Sequence, residues 1–279
     1  VCSSDLNGID AHHFEYQFCE QGELRRIMAR NSLLISIARE IMRNLLAYNP
    51  DGHINLTDAN GVTLHYCGQD LTPIGSILCE TVQGTNCTGR CLKENRLVYL
   101  LSAENYKEAL RVRGKHCAAA PIRDENGGML GILTLTADPG CFHYHTLGTV
   151  QAAAEAISQQ LILRRLVNEQ ESVMESLNEG VLVISELGVI RQLNCYARKV
   201  LGIQEDVLFR DVDEVLCPDG CSVKALPASK DRNITFCPVS DSRISCVISV
   251  VITPEGGRVI SMRDNRRVRD MTHRVIGST

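Results

Sequence analysis

The sequence predicts an α+β protein: two small antiparallel sheets, each with short helices, joined by a long helix. Three observations carry this. Turn tetrapeptides recur between short runs of alternating apolar residues, at Asp58-Ala59-Asn60-Gly61, Asp124-Glu125-Asn126-Gly127 and Ser185-Glu186-Leu187-Gly188. Short helical patterns interleave with these hairpins, which argues against the regular strand–helix alternation of a parallel doubly wound sheet. A helical apolar period runs from residue 145 to residue 178.

Each element follows from local pattern. Residues 22–48 read as one amphipathic helix, with Leu24, Ile27, Met28, Leu34, Ile35, Ala38, Ile41, Met42 and Leu45 at three- and four-residue steps. Asn49-Pro50-Asp51-Gly52 ends it. Ile54 and Leu56 alternate with polar neighbours, then Val62, Leu64 and Tyr66 alternate back. The Asn-Gly pair between them suggests a tight type I′ turn. The device recurs between 118–122 and 129–135, and a variant joins 181–184 to 189–193. On the long helix, Leu147, Val150, Ala154, Ile157 and Leu161 form a heptad seam, which slips to Leu166, Val173 and Leu177 after Arg164 and Arg165. Such a seam is expected to make a parallel dimer contact. The alternative is that it packs as the last helix of the first domain. Asn194 is placed to cap a helix that Gly202 ends. Residues 203–232 read as irregular, and 233–239, 243–252 and 258–263 as strands.

The bulk numbers set limits. The chain has 279 residues, 44% hydrophobic and 22% charged, which suits two globular domains. Net charge is −4, so the whole is no polyanion binder. No apolar run has the ~18 residues of a membrane span, and no export signal is visible. The 13 cysteines are odd in number and irregularly spaced, which favours reduced thiols in a cytoplasm. Residues 1–6, Val-Cys-Ser-Ser-Asp-Leu, match a translated sequencing adapter and are expected to be foreign to the protein, which would begin upstream. They stand outside the fold reading.

Residues 84–136 carry the most specific pattern. Gly84-Thr85-Asn86 opens a short helix, Cys117-Ala118-Ala119-Ala120-Pro121-Ile122 forms a strand, and His145-Thr146-Leu147 opens the closing helix. This resembles the GAF sensor domain of sigma-54-dependent transcriptional activators of the acetoin and dihydroxyacetone regulator type. Residues 171–265, with a helix, Gly180, two strands, then Asn194 and a helix ending in Leu201-Gly202, resemble a PAS domain. The implied organisation is a partial segment 1–21, a GAF-like domain 22–165, a helical linker 166–178, a PAS-like domain 171–265 and the start of a further linker 266–279. Family members continue into an ATPase domain and a helix-turn-helix. No G-x-x-x-x-G-K-[ST] phosphate loop occurs in this chain. The resemblance therefore implies ATP, Mg, sigma-54 RNA polymerase and DNA for missing domains only, and no cofactor, no membrane contact and no enzyme activity for this fragment. It implies a small-molecule effector or a regulatory protein as partner, and a homodimer.

Glu80, Thr85, Asn86, Cys87, Tyr106, His116 and Cys117 cluster around the expected GAF core and are candidate ligand-binding residues. Gly84-Thr85-Asn86 also reads as a plain helix cap. Cys79, Cys87, Cys91 and Cys117 fit no strong metal spacing. Cys217 and Cys221 flank a Pro-Asp-Gly turn and, with Cys237 of Cys237-Pro238, are the weak metal candidates. Asn194-Cys195 lies in the wrong place for a photoreactive flavin cysteine. His143 and His145 read as residues at the start of the long helix. Three alternatives stay open: a GAF-fold thiol reductase using Cys87, Cys91 or Cys117, a redox or metal sensor, and an input module for a histidine kinase.

Overall fold

The computed structural model describes residues 8–69, 72–218, 222–238 and 244–264. The chain forms two compact units, Val1–Leu166 and Val167–Thr279. Among the described residues no helix is long and apolar enough to cross a membrane.

The first unit begins with α1 (Gln21–Arg30) and α2 (Ser32–Ala47). The single helix expected over 22–48 is interrupted at Asn31, whose backbone N–H and side-chain Nδ2 both donate to the Ile27 carbonyl. Five antiparallel strands follow: β1 (His53–Asp58), β2 (Thr63–Gly68), β3 (Val98–Leu100), β4 (His116–Arg123) and β5 (Met129–Ala137), in the order β2-β1-β5-β4-β3. Short helices α3 (Glu80–Gln83), α4 (Cys87–Glu94) and α5 (Glu108–Val112) lie between β2 and β4. The closing helix α6 runs Tyr144–Ser176.

The hairpins are where the sequence placed them, but their turns differ from type I′. Gly61 and Gly127 have φ of +82° and +81°, whereas neither Asn60 nor Asn126 is among the positive-φ residues. Gly61 N–H donates to Asp58 O, and Asp58 Oδ1 accepts from the Asn60 and Val62 amides. This is a type I turn closed by a left-handed glycine, the three-residue hairpin solution. The aspartate side chain takes up the loop amides that a two-residue turn would not have exposed.

The sheet is covered on both faces. Leu34, Ile35, Ala38 and Met42 of α2 pack with Ile54 and Leu56 of β1, Ala118, Ala120 and Ile122 of β4, and Val150, Ala154, Ile157 and Leu161 of α6. The heptad seam of α6 thus faces its own sheet. Its expected dimer contact is corrected for this stretch, because a helix period shows which side is apolar and not what covers it. The opposite face holds Cys87, Cys91, Val98, Leu100, Ala119 and Ile132. With a side-chain period of two, that face also receives His53, Asn55 and Thr57 of β1, which are buried. The sequence marks them only as the polar neighbours of Ile54 and Leu56.

The second unit carries a six-stranded antiparallel sheet in the order β7-β6-β11-β10-β9-β8. Its strands are β6 (Gly180–Ile184), β7 (Ile190–Leu193), β8 (Leu216–Pro218), β9 (Ser229–Pro238), β10 (Ile244–Ile252) and β11 (Arg258–Asp264). Helices α7 (Cys195–Leu201) and α8 (Val212–Val215) accompany it. The stretch read as irregular therefore contains α8 and β8. Leu182, Ile184, Leu201, Val212, Phe236, Ile248 and Ile260 form its core. Asn194 caps α7 by accepting from Ala197 N–H, and Gly202 ends it in the left-handed region, both as expected from the sequence.

Candidate functional site

A cavity of about 120 Å³ opens between the second face of the first sheet and the segments that cover it. Its floor is made by His53 and Asn55 of β1, Cys117 of β4, and Thr134 and Thr136 of β5. Gln83, Asn86, Cys87 and Thr88 line it from the α3–α4 region, and Asn105, Leu110, Arg113 and Lys115 from the segment leading into β4. The volume is below the ~300 Å³ low end of pockets for drug-sized ligands. It is several times the ~10–15 Å³ that admits one water. A molecule of a handful of non-hydrogen atoms fits it.

The last wall comes from the N-terminal segment, which contributes Phe14 and Tyr16. Residues 9–19 are laid across the unit as a strap. Tyr106 Oη donates to Ile9 O at 2.7 Å. Lys107 Nζ, itself buried, donates to Asp10 O and His13 O at 2.7 and 2.8 Å. Gln83 Nε2 donates to Glu15 O, Ile77 N–H to Gln17 O, and Cys19 N–H to Gly75 O. From sequence this stretch reads only as part of a partial segment, 1–21, with no element assigned. Its one signal was the alternation Phe14-x-Tyr16-x-Phe18, whose rings sit 5.0 and 6.5 Å apart in succession.

Of the residues singled out from sequence, Asn86, Cys87 and Cys117 line the cavity. Asn86 accepts from Gly89 N–H, capping α4, and its Nδ2 donates to Leu78 O and Gly84 O. Glu80, Thr85, Tyr106 and His116 lie outside the lining. Glu80 faces Lys93 at 3.6 Å. Thr85 accepts the Tyr106 amide through its carbonyl. Tyr106 anchors the strap. His116 Nδ1 accepts from Ser102 N–H at 3.3 Å, and its ring meets Tyr99 and Phe142 edge-on. His53, Asn55, Gln83, Arg113 and the strap aromatics escaped the sequence reading.

The thiols here are not activated. Burial pushes the Cys87 thiol well above its ordinary value, Cys91 up to about 12 and Cys117 up to about 11, against a smaller opposing effect of its hydrogen bond with Thr136. A nucleophilic cysteine needs the opposite, a depressed pKa beside a basic group. No cluster of three or more His, Cys, Asp or Glu able to hold a metal occurs among the described residues. Cys217 pairs in register with Cys237 across β8 and β9, and Cys221 lies outside the described residues.

The family model for the GAF domain matches residues 30–161. This stretch is similar to GAF domains. The chain is 30% identical over 213 residues to a signal-transduction and transcriptional-control protein of Clostridium beijerinckii, covering 70% of this chain and 33% of that protein. It is 26% identical over 165 residues to the acetoin dehydrogenase operon transcriptional activator AcoR of Bacillus subtilis strain 168, covering 55% of this chain and 27% of that protein. The chain thus spans about a third or less of the relatives' lengths. Its fold matches a chain in the crystal structure of the E. coli DhaR(N)–DhaL complex with a TM-score of 0.60, at 18% identity, over 91% of this chain and 94% of that one. The cavity and its strap both belong to the same unit as this GAF-like stretch.

Proposed function

We propose that the chain is the signal-sensing region of a bacterial sigma-54-dependent transcriptional regulator, and that the GAF cavity is its receptor for a small metabolite. The observation that carries this is the walled cavity, with polar side chains on its floor and a strap across it. The relatives' roles in transcriptional control support the regulatory setting, and the protonated thiols speak against a thiol reductase. The second unit is read as PAS-like and as a relay, with an ATPase domain using ATP and Mg, and contacts to polymerase and DNA, placed in further domains. A cytoplasmic location follows from that role. A regulatory protein as partner is the other reading, favoured by the fold match to a DhaR(N) that is seen with a protein bound.

Occupancy shifts a conformational equilibrium only if the ligand binds the two states unequally. A thermal-shift screen of metabolites against the 279-residue chain is the test. A true ligand raises the melting temperature by mass action. Thr136→Met, which adds bulk to the cavity floor, is expected to abolish that shift while keeping the native circular dichroism. If every hit persists in Thr136→Met, the cavity is not the receptor.

A homodimer is proposed through a different face of α6 from the buried seam. Leu163, Leu166, Val173 and Leu177 are exposed and follow a three-and-four step pattern through Gln170. Leu166→Glu combined with Val173→Glu is expected to turn a sedimenting dimer into a monomer. A chain that sediments as a monomer before mutation removes the proposal.

A further inference from the structure

We infer that the cavity takes a small, neutral primary carboxamide, whose carbonyl oxygen and NH2 group are read by the side-chain amides of Asn55 and Gln83. The inference rests on the cavity being the receptor site. It comes from two buried amides whose hydrogen-bonding needs the fold's own contacts leave unmet.

Gln83 is 3% exposed. Its Nε2 donates to the Glu15 carbonyl at 3.1 Å, so turning the amide round would set oxygen against oxygen. Its Oε1 therefore stays an acceptor, and it has no hydrogen-bond partner among the described residues. Asn55 is 4% exposed, and its Oδ1 is likewise without a partner. No hydrogen bond of the Asn55 side chain occurs among the described residues. Both residues line the cavity. Polar neighbours in the lining are already paired. Thr88 Oγ1 bonds Thr134 Oγ1 at 2.9 Å, Cys117 Sγ bonds Thr136 Oγ1 at 3.2 Å, and Asn86 spends its oxygen on Gly89 N–H and its nitrogen on Leu78 O and Gly84 O. A buried polar group left unpaired is costly and normally has a specific partner. Asn55 asks for a donor and an acceptor side by side, and Gln83 Oε1 for one further donor.

A primary carboxamide supplies that set. One N–H and the carbonyl oxygen can make a two-bond pair with the planar amide of Asn55, and the second N–H is left for Gln83. A carboxylate has no proton to give and leaves Gln83 Oε1 unsatisfied. An ammonium or guanidinium brings its donors with a charge, and no Asp or Glu lines the cavity among the described residues to pair with it. A hydroxyl carries one proton, so a polyol must order two hydroxyls at once to do what one amide does. Phe14, Leu78 and Leu110 give apolar wall for a short alkyl group beside the amide.

Calorimetric titration of the full chain with propionamide, butanone, propionate and propylene glycol tests this. All four have the same number of non-hydrogen atoms. Butanone puts a methyl where propionamide has its NH2, and propionate puts a charged oxygen there. Propionamide is expected to bind at least about tenfold more tightly than any of the other three. Asn55→Leu, which keeps the side chain's size, should weaken propionamide about tenfold and leave butanone within about twofold. The same variant should raise the melting temperature of the free chain, because it removes a buried amide without a partner. A preference for propionamide over butanone that survives Asn55→Leu would overturn the assignment. So would a lower melting temperature for that variant, tightest binding by propionate or the glycol, or failure of all four probes at millimolar concentration. In each of these cases a metabolite of another class whose binding Thr136→Met abolishes would leave the receptor reading intact without the carboxamide. A screen with no such metabolite would remove the receptor reading as well.

Discussion

Asn194→Ala is expected to cost the second unit about 3–5 kcal/mol, several times what a helix cap contributes. Asn194 is fully buried. Its Oδ1 accepts from the amides of Val181 and Ala197, both at 2.9 Å. Its Nδ2 donates to the carbonyls of Met174 and Glu179, at 3.0 and 2.9 Å. One side chain thus ties together the end of α6, the start of β6 and the start of α7. A cap alone would cost about 1 kcal/mol on removal. Truncation here strips partners from four backbone groups, each costing about 1–3 kcal/mol when left buried and unsatisfied, less what entering water recovers. Urea unfolding followed by circular dichroism, with hydrogen exchange over residues 180–201, distinguishes the two. A loss near 1 kcal/mol would reduce Asn194 to a cap. Asn194→Asp adds a sign. Only a protonated carboxyl can donate toward either Met174 O or Glu179 O, with its one O–H, so the folded state raises this group's pKa above its unfolded value. The contribution is then fully present below the unfolded pKa of ~3.9 and lost as pH rises through the folded one. The aspartate variant should be most stable in acid relative to the parent protein.

Asn194 also marks how far the sequence could be read. That an asparagine just before a helical pattern caps it is a local fact, carried by the next three residues, and both Asn86 and Asn194 were legible as caps. Their remaining partners were not. Leu78, Glu179, Val181 and Met174 reach them from 8 to 20 residues away, through folding that no short window records. The same limit explains the seam of α6, whose apolar side was legible while its covering sheet was not. It also explains β1. His53, Asn55 and Thr57 alternate with apolar residues as a solvent-facing set would, and only the later α3–α5 segments and the strap roof them over. The hairpins were placed correctly because turn chemistry is local. Their type was missed because the Asp58 and Asp124 side chains stabilise a longer loop than the Asn-Gly pair alone suggests. Half the cavity wall therefore came from elements without a period of their own.

Gly84→Ala is expected to cost the first unit about 3–5 kcal/mol and to free the strap, by a steric route that starts at the Gly-Thr-Asn motif. Gly84 has φ 73° and ψ −172°, a region that is essentially confined to glycine and strained by about 1–3 kcal/mol for other residues. The added Cβ would also lie 2.8 Å from Cγ of the Tyr106 ring and closer still to Cδ1. That ring cannot retreat freely, because the Tyr106 amide donates to Thr85 O and its Oη holds Ile9 O. Relief therefore comes by breaking the Ile9 anchor, and the strap that carries Phe14 and Tyr16 to the cavity loosens with it. A double-mutant cycle isolates this route. In a Tyr106→Ala background the backbone strain at position 84 and the 2.9 Å approach to the Cβ of residue 106 persist but the clash with the ring is gone, so Gly84→Ala should cost at least about 1 kcal/mol less there than in the parent chain. Hydrogen exchange at residues 9–16 should rise in Gly84→Ala as it does in Tyr106→Ala. Equal costs in the two backgrounds, or a strap that stays protected in Gly84→Ala, would cut the link from motif to ring to strap. The conformation of Gly84 would then serve the cap of α4 alone, and the cavity's N-terminal wall would have to be held by Lys107 and Gln83 without help from Tyr106.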